Sequence, residues 1–392
     1  MILSKRVQRI KPSATLAVTA KAAALKAQGQ DIIGLGVGEP DFDTPEFIKA
    51  AAIRAIQQGQ TKYTAVEGTL ALRQAIVQKF KLDNNLSYTP KQILVSTGGK
   101  QSFYNLVQAL LNPADEVIIP APYWVSYPDM VLLADGQPVM IETHAEHRYK
   151  ITAQQLKQAI TPKTRALVLN SPSNPSGMAY TKAELIALGE VLLDHPHIVV
   201  ITDDMYEKIY WGSEPFCNIV MACPALYERC VIIHGVSKTY AMTGWRIGYA
   251  AGPEPLIKAM TDIQSQNTSN ACSIAQAAAL AALTGDQACV AAMTQVFKQR
   301  HDWVVQELNA LPGITCLPAD GTFYAFVDVS LAMSQLQIVS DSEFCEYLLQ
   351  KVGVALVPGS AFGTPGHVRM SFAASNETLA AALQRLAQAL KN

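Results

Sequence analysis

The chain has 392 residues, enough for two or three domains at roughly 150 residues each. Hydrophobic residues make up 49% and charged residues 16%, below the usual charged share of about 25%, so a large core and a subunit interface can both be buried. With 31 basic and 32 acidic residues the formal net charge is -1, which leaves no basic excess to neutralise phosphates and excludes nucleic acid as a main partner.

Near the N-terminus Lys5, Arg6, Arg9 and Lys11 precede Ala14–Ala20, and no acidic residue occurs before Asp31. A targeting segment would share this charge pattern, but the apolar run is short and Thr15, Thr19 and Lys21 interrupt it. An amphipathic helix from about Ser13 to Gln28, ended by Gly29, is expected instead. No run in the chain reaches the ~18 apolar residues of a membrane span, so no membrane partner is expected.

From residue 90 to 250 strand and helix patterns alternate. Gln92–Ser96, Glu116–Pro120, Gln137–Ile141, Arg165–Asn170, Ile198–Thr202, Cys230–His234 and Arg246–Ala250 read as strands, with helices over Lys100–Leu111 and Val125–Leu133. Continuous apolar strands with helical crossovers predict a mostly parallel sheet covered on both faces. Glu254 to about Leu311 reads as long helices, broken near Ser265–Ser273 and Thr284–Asp286. After Pro312–Gly313 the pattern turns to α+β, with strands over Thr322–Val327 and His367–Phe372 and helices over Ser342–Lys351 and Glu377–Leu390. The expected division is an N-terminal segment (1–45) that joins the small domain, a three-layer αβα large domain (46–311) and a small C-terminal α+β domain (312–392).

The seven cysteines form no C-x-x-C pair, and an odd count scattered through apolar stretches predicts reduced, mostly buried thiols in a cytoplasmic setting. His195 and His197 form an H-x-H that a loop after a helix explains, and no metal site is expected.

Six segments have side chains suited to chemistry. Lys238 stands just after the strand Val231–His234, in a turn of small residues. A desolvated lysine, or one beside another cation, becomes a nucleophile able to form a Schiff base, whereas a solvated loop lysine does not. Asp203-Asp204-Met205-Tyr206 follows a strand directly, where a carboxylate points into the ligand crevice of an α/β sheet; a magnesium-binding pair or a helix cap fits the same residues. Asn170-Ser-Pro-Ser-Asn174-Pro-Ser-Gly177 is a stiffened turn, either structural or presenting the Asn174 amide to a ligand. Ser96-Thr-Gly98-Gly99-Lys100 lies between strand and helix, where free amides and the helix dipole suit a phosphate. It lacks Walker A spacing, and Gly34-Leu-Gly36-Val-Gly38 lacks the third glycine of a dinucleotide fingerprint, which argues against kinase-like and nicotinamide-dependent enzymes. Trp124 is placed to stack on a flat ring or to fill the core. Arg369, in an apolar strand, needs a partner: a ligand carboxylate, or a structural Asp or Glu.

Order and spacing together are more specific than any one segment. Lys11-Pro-Ser-Ala-Thr15, Gly38-Glu-Pro-Asp-Phe42, Tyr123-Trp-Val-Ser-Tyr-Pro128 and Ala241-Met-Thr-Gly-Trp-Arg-Ile-Gly-Tyr249 resemble the fold-type-I pyridoxal-phosphate aminotransferases, closest to the bacterial aspartate branch whose members also accept prephenate. The resemblance runs from about Ser4 to Leu390. It implies pyridoxal 5′-phosphate on Lys238, with Asp203 on the ring nitrogen, Tyr206 and Asn174 on the ring oxygen, and Trp124 stacked on the ring. Gly99, Lys100 and Arg246 would surround the phosphate, joined across a homodimer interface by Tyr63. Arg369, with Asn174, Trp124 and the backbone of Gly38, would hold the substrate α-carboxylate. Lys100, Ser13 and Thr15 would hold a distal carboxylate, and Lys11 would matter for prephenate. The substrates implied are amino acids and 2-oxo acids, in a ping-pong transfer from L-aspartate to 2-oxoglutarate. Ser176, Asp204 and His234 stand where the branch often has Thr, Glu and Asn. An aromatic aminotransferase or a lyase of the same fold is the alternative activity. A non-catalytic pyridoxal-binding regulator would need a DNA-binding module, and no basic helical domain is appended.

Overall fold

The computed structural model describes residues 2–12 and 14–391, so Ser13 lies outside the described residues. Among the described residues the chain builds a seven-stranded sheet, a four-stranded sheet and a two-stranded pair. Its strands are β1 (Ile33–Gly34), β2 (Ile93–Ser96), β3 (Glu116–Pro120), β4 (Gln137–Ile141), β5 (Thr164–Asn170), β6 (Val199–Asp203), β7 (Cys230–Gly235), β8 (Gly248–Ala251), β9 (Thr315–Cys316), β10 (Tyr324–Asp328), β11 (Val354–Ala355), β12 (Val357–Pro358) and β13 (His367–Ser371). The large sheet has the order β2-β8-β7-β6-β5-β3-β4. Only β8 runs antiparallel to its neighbours; the other pairings are parallel. The chain is therefore α/β with a mostly parallel sheet, as the alternating pattern predicts.

Its strands are apolar throughout because both faces are covered. Ile118, Leu167 and Leu169 face one core with Phe80, Leu185 and Leu188. Their alternating neighbours Val117, Ile119, Ala166 and Val168 face the other, with Phe103, Leu106 and Met260. The covering helices start where the sequence supplies caps: Thr181 and Glu184 form a reciprocal capping box at Lys182–Leu193.

The second sheet is antiparallel, in the order β12-β13-β10-β9. Its core joins Phe323, Val327, Val368 and Met370 to Phe344, Leu348, Leu379 and Leu386. The helix Ala288–Asn309 packs into this core from its middle to its end, through Phe297, Val304 and Leu308. The helix Ala14–Ala27 leads into β1, which pairs in parallel with β11 and ties the N-terminal segment to the C-terminal part of the chain.

Three details differ from the sequence reading. β8 begins at Gly248 because Arg246 has a left-handed backbone, φ 57. β10 begins at Tyr324 because Thr322 has φ 69. All seven cysteines are free, but only Cys230, Cys316 and Cys345 are buried, and Cys272 is exposed; apolar sequence neighbours do not prevent a position at a helix start from facing solvent. Among the described residues no single helix is long and apolar enough to cross a membrane, and no group of metal-ligating side chains is present.

Candidate active site

The chemistry-bearing residues meet in a cleft of about 400 Å³ between the two sheets. Gly38, Gly99, Lys100, Trp124, Asn174, Asp203, Tyr206, Lys238, Arg246 and Arg369 line it, and Thr15 and Leu16 reach it from the N-terminal helix. A larger groove of about 1080 Å³ lies among the helices Leu70–Asn84, Ser273–Thr284 and Ala288–Asn309, and gathers none of these residues. Asp203 ends β6 and Lys238 follows β7, so the carboxyl ends of adjacent parallel strands supply the reactive groups, where such sheets bind ligands.

The Lys238 amine donates to the Gly38 carbonyl at 2.5 Å. Burial, reinforced by Arg246 and Arg369 and opposed by Glu39 and Asp203, pushes its pKa down to about 8. It is thus far closer to its neutral, nucleophilic form than a solvated lysine. Asp203 is buried, which pushes its carboxyl pKa up. Tyr127 donates to its Oδ2 at 2.5 Å and the Met205 amide donates to its Oδ1 at 3.2 Å, and both bonds favour the ionised form.

Arg369 on β13 is 2% exposed. Its Nη1 donates to Asn174 Oδ1 at 2.8 Å and its Nη2 to the Gly36 carbonyl at 2.6 Å. Among the described residues no Asp or Glu pairs with it, and its buried Nε has no hydrogen-bond partner. A buried guanidinium whose hydrogen bonds go only to neutral oxygens, with the Tyr324 and Phe362 rings against it, suits a carboxylate partner. This removes the structural-partner alternative for Arg369.

The turn Gly98–Gly99 opens the helix Gly99–Leu110, which has no side-chain cap. A Cβ at Gly98 (φ +84) would lie 2.3 Å from an Arg246 guanidinium nitrogen, and one at Gly99 would lie 2.5 Å from Met205 Cε. The glycines therefore let the Arg246 fork lie over a helix N-terminus, a cationic cradle suited to a phosphate. Lys100 is exposed at the mouth of the cleft, with its ammonium 5.0 Å from the Trp124 ring centroid. Desolvation, then Arg246, holds its pKa down. Trp124 stands edge-on to Tyr127, centroids 5.2 Å apart.

Two predicted residues lie elsewhere. Tyr63 is 92% exposed and does not line the cleft. Lys11 is exposed, and its backbone amide donates to Asp129 at 3.4 Å. Conversely, Tyr127, Tyr324, Met205 and Ser237 line the cleft without having been singled out from sequence. Tyr127 had a signal, since it stands three residues after Trp124 and so shares its side of a helical turn.

Below the cleft a buried ionic group joins three elements. Lys79 of the helix Leu70–Asn84 pairs with Glu207, which also accepts from Asn84 at 3.1 Å and from His234 Nε2 at 2.9 Å. His234 Nδ1 accepts from the Gly235 amide at 2.7 Å, which leaves its proton on Nε2 facing Glu207. Burial, and then Lys79, lower its pKa, so the ring is neutral. Asp204 is fixed by Thr202 and Asn218, each at 2.7 Å, and burial pushes its pKa up to about 7. His234 and Asp204 thus serve the support beneath the strands and do not line the cleft.

The profile of the family described as aminotransferase class I and II matches residues 30–386. The aspartate/prephenate aminotransferase of Nitrosomonas europaea is 59% identical over 396 residues, covering 100% of both chains. The aspartate aminotransferase of Bacillus subtilis is 49% identical, over 98% of both. Among solved structures, the aspartate aminotransferase from Rhizobium meliloti superposes with a TM-score of 0.96 at 48% identity, over 100% of this chain and 99% of that one. The Thermus thermophilus aspartate aminotransferase with maleate superposes with a TM-score of 0.94 at 43% identity, over 99% and 100%.

Proposed function

Because the chain belongs to the aminotransferase class I and II family, we propose that it transfers the amino group of L-aspartate to 2-oxoglutarate by a ping-pong mechanism, with prephenate as a second acceptor. The observation that carries this reading is the convergence of Lys238, Asp203 and Arg369 in one cleft. Full-length relatives named for aspartate and for aspartate/prephenate support the substrates, and the dicarboxylate maleate in the Thermus relative supports a two-carboxylate site.

The residues fit pyridoxal 5′-phosphate: a depressed lysine, a buried carboxylate and a cationic cradle over a helix N-terminus stand in one space. When bound, this cofactor supplies an electrophilic carbon and a ring that accepts the electron pair released at the substrate Cα. Lys238 Nζ would anchor it and, once released by the substrate amine, would be the base that takes the substrate Cα proton and holds it for return. Asp203, a carboxylate oriented by Tyr127 and Met205, would pair with the ring nitrogen and keep it protonated. Tyr206 and Asn174 would hold the ring oxygen, Trp124 would cover the ring face, and Gly99, Lys100 and Arg246 would bind the phosphate.

Arg369 grips the α-carboxylate with Asn174, Trp124 and the Gly38 backbone, fixing the Cα–H bond toward Lys238. Lys100, Thr15 and Ser13 take the distal carboxylate, and Lys11 the second carboxylate of prephenate. The enzyme acts as a cytoplasmic homodimer; free cysteines suit a reducing compartment, and the exposed Tyr63 suits a role at the phosphate of a partner's cofactor. The division at 45/46 and 311/312 puts the proton chemistry on the large domain and Arg369 on the small one.

The test is an absorbance spectrum of the cofactor-loaded protein before and after L-aspartate, with no keto acid present. Conversion of the visible band to the pyridoxamine band is expected. An unchanged band rejects aspartate as donor, and no band after incubation with pyridoxal phosphate rejects the cofactor.

A further inference from the structure

Tyr324 touches three of the residues to which the proposed function gives roles, yet has none itself. It is 1% exposed and lines the cleft. Its hydroxyl lies 2.9 Å from the hydroxyl of Tyr206. The Arg369 guanidinium lies over its ring, 4.4 Å from the centroid. A Cβ at Gly38 would stand 2.4 Å from its hydroxyl, so that glycine leaves room for the phenol while its carbonyl accepts the hydrogen bond from Lys238. Strand register explains the placement: Phe326 pairs with Arg369, and Tyr324, two residues along β10, shares the same face.

We propose that Tyr324 is a positioning residue that couples the cofactor side of the cleft to the substrate-carboxylate side. The proposal rests on the reading of Tyr206 and Arg369 given above. Each phenol has one proton. If Tyr206 gives its proton to the ring oxygen, its own oxygen must accept, and Tyr324 is the donor. A donor into that oxygen polarises the Tyr206 O–H and strengthens its bond onward. The Tyr324 ring meanwhile carries the guanidinium on its negative face, holding the fork level between Asn174 and Gly36. Hydroxyl and ring therefore have separable duties.

The experiment uses holoenzyme of wild type, Tyr324→Phe, Tyr324→Leu and Tyr206→Phe. It reads the pH midpoint of the cofactor's visible band and the dissociation constant of maleate, an unreactive dicarboxylate. Removing the Tyr324 hydroxyl weakens the Tyr206 donor and leaves more negative charge on the ring oxygen, which holds the neighbouring nitrogen proton more tightly. Tyr324→Phe should raise the midpoint by at least ~0.3 unit, a twofold change in proton affinity, in the direction of Tyr206→Phe and by less. Its maleate affinity should stay within about twofold of wild type, because the ring remains. Tyr324→Leu should add a roughly five- to tenfold loss of maleate affinity. A midpoint unmoved in Tyr324→Phe but moved in Tyr206→Phe overturns the coupling, as does wild-type maleate binding by Tyr324→Leu. An unmoved midpoint in Tyr206→Phe overturns the assignment of Tyr206 to the ring oxygen, and this proposal with it. Tyr324→Phe keeps the core filled, so the hydroxyl test stands even if Tyr324→Leu does not fold.

Discussion

Replacing Arg369 by lysine keeps the charge and removes the fork. In the structure Nη1 is committed to Asn174 and Nη2 to the Gly36 carbonyl, at 2.8 and 2.6 Å. Each of these nitrogens has a second proton, so one N–H on each side of the fork remains for a carboxylate. A lysine ammonium has three protons; two spent on Asn174 and Gly36 leave one. The substrate then loses one charge-assisted hydrogen bond, worth about 1.5–3 kcal/mol. At 1.4 kcal/mol per tenfold, that is roughly a 10- to 150-fold loss of affinity. Spectral titration with maleate and kcat/KM for L-aspartate should both fall by this factor, while the melting temperature changes little because Asn174 and Gly36 stay paired. An affinity within threefold of wild type, in a variant that melts normally, would falsify the carboxylate-clamp role.

Three other perturbations follow from named contacts. Tyr127→Phe removes the donor to Asp203 Oδ2, raising that carboxyl's proton affinity; equilibrium dialysis should give about tenfold weaker cofactor binding, and unchanged binding removes Tyr127 from the site. In cofactor-free protein the depressed pKa of Lys238 destabilises the fold: the penalty is fully present below about 8 and is relieved as pH rises toward the unfolded value of 10.5. Lys238→Met should therefore be more stable than wild type by about 2–3 kcal/mol at pH 7, with the gap closing toward pH 10, in urea melts; a gap independent of pH contradicts the depressed amine. Lys79→Met strips the cation from the buried Glu207, whose carboxyl Lys79 and His234 hold well below the usual range. The cost should be about 3–5 kcal/mol by urea unfolding, and a loss under ~1 kcal/mol would mean that Lys79 is not what balances that charge.

The parts of the molecule that depend on local pattern were readable in advance. The seven strands of the large sheet are long enough for composition to mark them; Lys238, Asp203 and Asn174 sit at a strand end or in turns with sequence signatures, and Arg369 stands out as a charge inside an apolar strand. Two-residue strands such as β1, β11 and β12 are too short to show a period, and only their partners define them. The reversed direction of β8 depends on the turn after Lys238, where Arg246 takes a left-handed backbone that residue type does not announce. Contacts across elements were the least visible. That Arg369 bonds the Gly36 carbonyl while the Gly38 carbonyl takes Lys238 depends on how the segment after β1 passes over two sheets. The burial of Lys79 with Glu207, 128 positions apart, leaves no mark on either local sequence.

Because β6 and the turn after β7 hold Asp203 and Lys238 while β10 and β13 hold Tyr324 and Arg369, the groups proposed for the proton chemistry and the arginine proposed for the α-carboxylate are written in separate stretches of the gene. On the proposed roles the carboxylate groups are spread more widely, because Lys100, Trp124 and Asn174 precede residue 312, so variation after that point reaches the Arg369 side of the clamp and leaves Lys238 in place. A laboratory library that seeks new substrates would therefore pair positions after residue 312, Tyr324 excepted, with the first turns of the helix that starts at Ala14 and with the neighbours of Lys100.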